Sequence, residues 1–231
     1  MTVVLATVCE DGVVMGSDSQ ITDKGRGMTY PAQKLHPLGS DAAWGGSGAR
    51  SVLTDVQRSF NENSAAILEA PDIGRAMQNQ VLPILRHHYE TFIPDVPGEE
   101  GSGTPSAYVM AAGWRDGEPW IIEITPSGMI GHYADIGFHA IGSGAAMAQQ
   151  AGSLLSHFRI GKRSVDVGCA AVLRVLKSLD LTSASVGKPF SLCRITKDGA
   201  HHLTDEEIDK VGEVVARWEK AEQAAIAKIF D

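Results

Sequence analysis

The sequence predicts an α+β protein: two groups of strands form sheets, helices lie outside them, and one further helix closes the chain. Three observations lead there. Apolar and β-branched runs fall in the order strands, two helices, strands, two helices, strand. That order suits stacked sheets flanked by helices better than an alternating βαβ chain. A hairpin pattern starts almost at the first residue, where termini are generally frayed unless tied down. Finally, Thr204-Asp205-Glu206-Glu207 reads as a capping box with acids on the first helical turn.

Val3 to Cys9 is the first strand, Asp11-Gly12 its turn, and Val13 to Ser17 the returning strand. Residues 20 to 33 are polar and Gly-rich and read as a loop. Lys34 to Leu38 and Ala42 to Trp44 are short strands, the second ending in a turn at Gly45-Gly46-Ser47-Gly48. Ala49 to Phe60 has helical spacing, with Val52, Leu53, Val56 and Phe60 on one face. Asp72 to Tyr89 is a second helix, expected to kink at Pro83. Pro94 to Pro105 is a Pro/Gly loop. Strands resume at Ala107 to Ala112, Trp120 to Ile124 and Ile136 to Ile141, with turns at Asp116-Gly117 and Ser127-Gly128. Gly142-Ser143-Gly144 leads into a small-residue helix from Ala145 to Phe158. Ser164 to Leu179 is the fourth helix and Phe190 to Thr196 the last strand. Ile208, Val211, Val215 and Trp218 then mark the inner face of the C-terminal helix.

The chain has 231 residues, 43% hydrophobic and 21% charged, with a net charge of −8. This is one domain over 2–203 and a helical extension over 204–231, not two domains. The extension carries eight acids and four bases, half of the net charge. An acidic chain is a poor partner for nucleic acid or an anionic membrane. No apolar run reaches the ~18 residues of a membrane span, and the start lacks the basic residues of a secretory signal. The cytoplasm is the expected compartment. Cys9, Cys169 and Cys193 have no CxxC spacing, so neither disulfides nor zinc are expected, and no cofactor is called for. The pairs His87-His88 and His201-His202 read as surface histidines.

The chemistry gathers near the start. Once Met1 is removed, Thr2 carries a hydroxyl and a free α-amine on one residue, and the amine can serve as the base that a weak hydroxyl nucleophile needs. Asp18 ends the second strand and Lys34 begins the third. A nearby ammonium disfavours a second positive charge and so lowers the amine's pKa, while Asp18 keeps Lys34 charged and oriented. The Gly-rich backbone after Trp44 offers N–H donors for an oxyanion. Asp18 and Lys34 also read as a structural ion pair, and Ser143 as a helix N-cap.

Thr2, Asp18 sixteen residues on and Lys34 thirty-two residues on resemble the N-terminal-threonine peptidases of the proteasome β-subunit type, with bacterial HslV nearest in style. Gly12 to Thr22, Gly45-Gly46-Ser47-Gly48-Ala49, Ala140-Ile141-Gly142-Ser143-Gly144 and Asp180 with Ser183 resemble that family's later motifs, in order over residues 2 to 200. The resemblance implies a four-layer αββα sandwich of the Ntn-hydrolase fold, with an added C-terminal helix. It implies peptide-bond hydrolysis through an acyl ester on Thr2, with polypeptide substrates, self-association into rings and a ring-shaped unfolding ATPase of the AAA+ type as partner. Lys34 would tune the amine and Asp18 orient Lys34. Ser143, Asp180 and Ser183 would hold the amine and its water. The Gly48 N–H, or Gly46 if the turn is shifted, would hold the oxyanion. Val3 stands where the family commonly has a second threonine, and Ala184 interrupts the usual Ser-Gly run. Two alternatives follow: an inactive ring or scaffold subunit of the same fold, and an amidohydrolase of small molecules.

Overall fold

A computed structural model of the chain describes residues 2–23, 28–94, 104–184 and 186–230. It is mixed α+β, with antiparallel sheets and five α-helices among the described residues. The first sheet holds β1 (Val4–Cys9), β2 (Gly12–Asp18), β10 (Phe138–Ile141), β11 (Phe190–Thr196) and β12 (Gly199–His202), ordered β10-β1-β2-β11-β12. The second runs β5 (Leu35–Leu38), β6 (Ala42–Gly48), β7 (Ala107–Arg115), β8 (Glu118–Ile124) and β9 (Ile130–His132) in chain order. A separate ribbon pairs β3 (Gln20–Asp23) with β4 (Met28–Pro31). The helices are α1 (Arg50–Glu69), α2 (Ile73–Glu90), α3 (Ala145–Leu155), α4 (Val165–Thr182) and α5 (Asp205–Phe230).

Alternation along the strands sorts the core. Val4, Ala6, Val13 and Met15 of the first sheet meet Leu35, Ala43, Met110, Ala112 and Ile121 of the second in one buried cluster. Residues of opposite parity, Leu5, Val14 and Leu192, pack instead with α3, α4 and α5 through Ala148, Val172, Leu176 and Val215. Trp44, Val109, Ala111 and Ile122 pack with Val52, Phe60, Met77 and Val81 of α1 and α2. Because β1 and β2 are buried on both faces, their sequence is a nearly continuous apolar run.

The hairpin turn lies one residue earlier than the sequence suggests. Cys9 pairs with Gly12, so Glu10 and Asp11 make the turn and Gly12 already belongs to β2. The polar stretch expected as a loop contains β3 and β4. Gly45 to Gly48 are strand, not turn: β6 continues through them, paired with Met110 to Ala107 of β7. The helix continues through Pro83. Asp116 and Gly117 both have positive φ, 55° and 85°, as the two-residue turn between β7 and β8 requires. The residues 95–103 of the Pro/Gly run lie outside the described residues, as does Met1. At the other end, Thr204 and Glu207 make the reciprocal bonds of the expected capping box, and Ile208, Val211, Val215 and Trp218 pack inward against the α4 layer. The three cysteines are free and buried, and burial pushes each thiol up to about 12. No described helix is long and apolar enough to cross a membrane.

Candidate active site

Thr2 sits just before β1, bracketed by the turn between β10 and α3. Its backbone N–H donates to Ser143 Oγ at 3.1 Å, and its carbonyl accepts from the Gly144 N–H at 3.2 Å. Gly142, with φ of 95°, permits this approach: a Cβ there would meet the Thr2 carbonyl oxygen at 2.2 Å. Ser143 is not the helix cap. Gly144 occupies the N-cap position of α3, and the Ser143 hydroxyl serves Thr2.

Asp18, at the end of β2, is fully buried and collects four donors. Oδ1 accepts from the Val3 N–H at 3.0 Å and from Lys34 Nζ at 2.8 Å. Oδ2 accepts from the N–H groups of Gln20 at 3.1 Å and Gly187 at 3.4 Å. Lys34, just before β5, is buried and also donates to the Gln20 carbonyl at 2.6 Å. Desolvation lowers the Lys34 pKa, with the hydrogen bond to Asp18 opposing. One carboxylate oxygen thus joins the start of the chain to a buried ammonium.

Gly46 and Gly48 share a face of β6 with Trp44. Gly48 has φ of +133°, and a Cβ on it would meet the Ser106 carbonyl oxygen at 2.1 Å; the Ala49 N–H donates to that same oxygen at 2.8 Å. Thr2, Lys34, Gly46 and Gly48 all line one cleft of about 660 Å³. A hydroxyl-bearing residue, a buried cation and two glycines of β6 therefore share one concave surface.

Asp180 and Ser183 sit differently. Asp180 is half-buried in the last turn of α4, and its side chain makes no hydrogen bond among the described residues. Ser183 ends that helix, its N–H donating to Leu179 and its carbonyl accepting from Val186. The segment beyond it supports Asp18 rather than Thr2. Gly187 donates to Asp18, and Gln20 Nε2 donates to the Ala184 carbonyl at 2.9 Å.

The rest of the cleft lining escaped the sequence reading. Tyr30, His36, Trp44, Arg50 and Gln57 all face it. A signal was available in Arg50, a base at the first position of a helix, where the macrodipole disfavours positive charge. The histidine pairs are also less uniform than expected. His88 is half-buried against Asp55 at 2.9 Å, and His202 is half-buried beside exposed His201.

No family model matches the sequence, and no curated protein matches it. Solved structures do match. Anbu from Hyphomicrobium sp. strain MC1 superposes with a TM-score of 0.71 at 18% identity, covering 99% of this chain and 98% of that one. A mutant of the same protein gives 0.72 at 18%, covering 100% of both chains. Anbu from Yersinia bercovieri, described as an ancestral β-subunit, gives 0.73 at 14% identity over 97% and 96%. These matches overturn the assignment to the proteasome β-subunit/HslV peptidases. They carry the name Anbu, a related but distinct family, and match nearly end to end, including the stretch the HslV resemblance left over. At this identity the likeness is one of fold, and the fold of this chain is proteasome-related.

Proposed function

We propose that the chain is an N-terminal-threonine hydrolase cleaving peptide bonds, active once Met1 is removed. The observation that carries this is the Thr2 nitrogen held on Ser143 in the cleft that Lys34 also lines. The layered packing is read as a four-layer αββα sandwich of the Ntn-hydrolase type. The Thr2 hydroxyl attacks the carbonyl carbon of the scissile amide while its proton passes to the Thr2 amine. The C–N bond then breaks, the proton leaves with the amine product, and an ester remains on Thr2. Water hydrolyses that ester, releasing the acid and restoring the hydroxyl. Lys34 holds the Thr2 amine toward its neutral form by like-charge proximity, and Asp18 fixes Lys34. The glycine backbone at Gly46 and Gly48 supplies the oxyanion donor. Self-association into rings, a ring-shaped unfolding ATPase as partner and a cytoplasmic setting belong to the same reading.

The test is intact mass of the mature chain together with Thr2→Ala on fluorogenic peptides. A chain beginning at Thr2 and a loss of hydrolysis in the variant are expected; undiminished hydrolysis sinks the proposal. A second reading, an inactive ring or scaffold subunit, is favoured by Asp180, which makes no hydrogen bond to Thr2 among the described residues. Retention of Met1 in protein from the native host would select it.

A further inference from the structure

We infer that the group received in the cleft beside Thr2, on the acyl side of the bond that is cut, carries a carboxylate. The inference rests on the hydrolase reading and names its substrate class.

The charge inventory of the cleft is one-sided. Its lining contains Lys34 and Arg50 and, among the described residues, no carboxylate. Lys34 keeps its charge but has Asp18 as its partner at 2.8 Å. Arg50 is exposed, its guanidinium donates only to the Tyr30 hydroxyl at 3.3 Å, and it has no acidic partner among the described residues. His36 adds no charge near neutral pH, because burial, with His202 nearby, pushes its pKa down to about 4. Among the described residues, the lining cation left without an acidic partner is therefore Arg50.

The start of α1 reinforces it. Arg50 is the first residue of that helix, where the dipole opposes a cation, and the first turn has neither an acid nor a side-chain cap to compensate. Local rules broken without compensation are expected where a site is being served. The neutral groups are suited to an acceptor as well. Gln57 lies beside His36, its Nε2 at 3.2 Å from Nδ1. An aliphatic side chain would leave the Arg50 guanidinium beside a group that cannot accept. A basic side chain would meet Arg50 at like charge. A carboxylate answers both, since guanidinium and carboxylate form charge-assisted, often bidentate pairs.

The experiment uses the full chain with Met1 removed and blocked fluorogenic tripeptides identical except for Glu, Leu or Arg at the acylated position. A matching pair of peptide vinyl sulfones with Glu or Leu there is read by intact mass. The Glu substrate is expected to exceed the Leu and Arg substrates in kcat/KM by at least about tenfold. Arg50→Glu is expected to invert the order of Glu and Arg. A blocked single-residue glutamyl anilide, run beside the tripeptide, separates a peptide substrate from a small acidic amide. Equal labelling of Thr2 by both sulfones, or a preference for Leu or Arg, overturns the inference and leaves the hydrolase reading standing. Failure of both sulfones to label Thr2 removes that reading and the inference with it.

Discussion

Two buried acid–base pairs, each sixteen residues apart in sequence, hold this molecule in different ways. Asp18 and Lys34 meet at 2.8 Å behind the cleft that Lys34 lines. Glu123 of β8 and His139 of β10 meet at 2.5 Å and tie one sheet to the other. Asp18 is a hub for backbone: it also receives the N–H groups of Val3, Gln20 and Gly187. Glu123 serves side chains. His139 is covered by the ring of Tyr133, stacked at 3.5 Å and 6°, and burial with the Glu123 charge raises the Tyr133 pKa. A carboxylate that organises backbone cannot be exchanged for an apolar residue, whereas one that only meets side chains can.

Apolar double replacements break this comparison most directly. Asp18→Leu with Lys34→Met removes both charges but strands three N–H groups, at about 1–3 kcal/mol for each one left unsatisfied. Glu123→Leu with His139→Phe strands no backbone donor bonded to Glu123, and removing a whole buried pair is often close to neutral. Urea melts should show a loss of several kcal/mol in the first case and within about 1 kcal/mol in the second. Equal losses would mean that the hub role of Asp18 is not what sets its energetic weight.

A smaller effect sharpens what Lys34 does. Under the proposed mechanism, Lys34→Met removes the like charge that holds the Thr2 amine pKa down. The acid-side limb of the pH–rate profile, where the amine must lose its proton to act, should then move to higher pH by on the order of one unit. Activity at neutral pH falls, because more of the amine is protonated, and returns as pH rises. A profile lowered uniformly, without displacement, would assign Lys34 a purely structural role.

How much of this was legible follows from what is local. The β1–β2 hairpin, the Asp18–Lys34 pair and the serine turn after β10 are readable because strand ends and glycine turns position them within short stretches of chain. The Glu123–His139 link is not, since an acid in β8 finds its partner only when two sheets stack. The cleft was half legible. Gly45 to Gly48 read as a turn because glycine is depleted in strands, yet here it is strand because neighbours crowd it. A Cβ on Gly46 would meet Leu53 at 2.3 Å, and one on Gly45 the Lys34 carbonyl at 2.8 Å. Asp180 is a different case. A motif match carried it into the site, but it lies on a helix end without a hydrogen bond to Thr2.

The least costly perturbation lies furthest from the cleft, where α5 begins. Glu207 accepts from the Thr204 N–H at 2.8 Å and from His201 Nε2 at 3.0 Å, and these bonds, the backbone one foremost, lower its pKa from 4.5 to about 2. A carboxyl whose folded pKa is depressed contributes stability above its unfolded value and loses it as pH falls toward the folded one. The wild-type chain should therefore lose this contribution between about pH 4.5 and 2, by less than the Asp18/Lys34 double replacement costs. Glu207→Gln, which cannot titrate, should start lower at neutral pH and lack that part of the acid dependence. Thermal melts across this range, wild type against variant, compare the two directly. Parallel curves would mean that the Thr204–Glu207 box closes the helix geometrically without coupling to folding, and that α5 is held by Val215 and the Arg174–Glu222 pair instead.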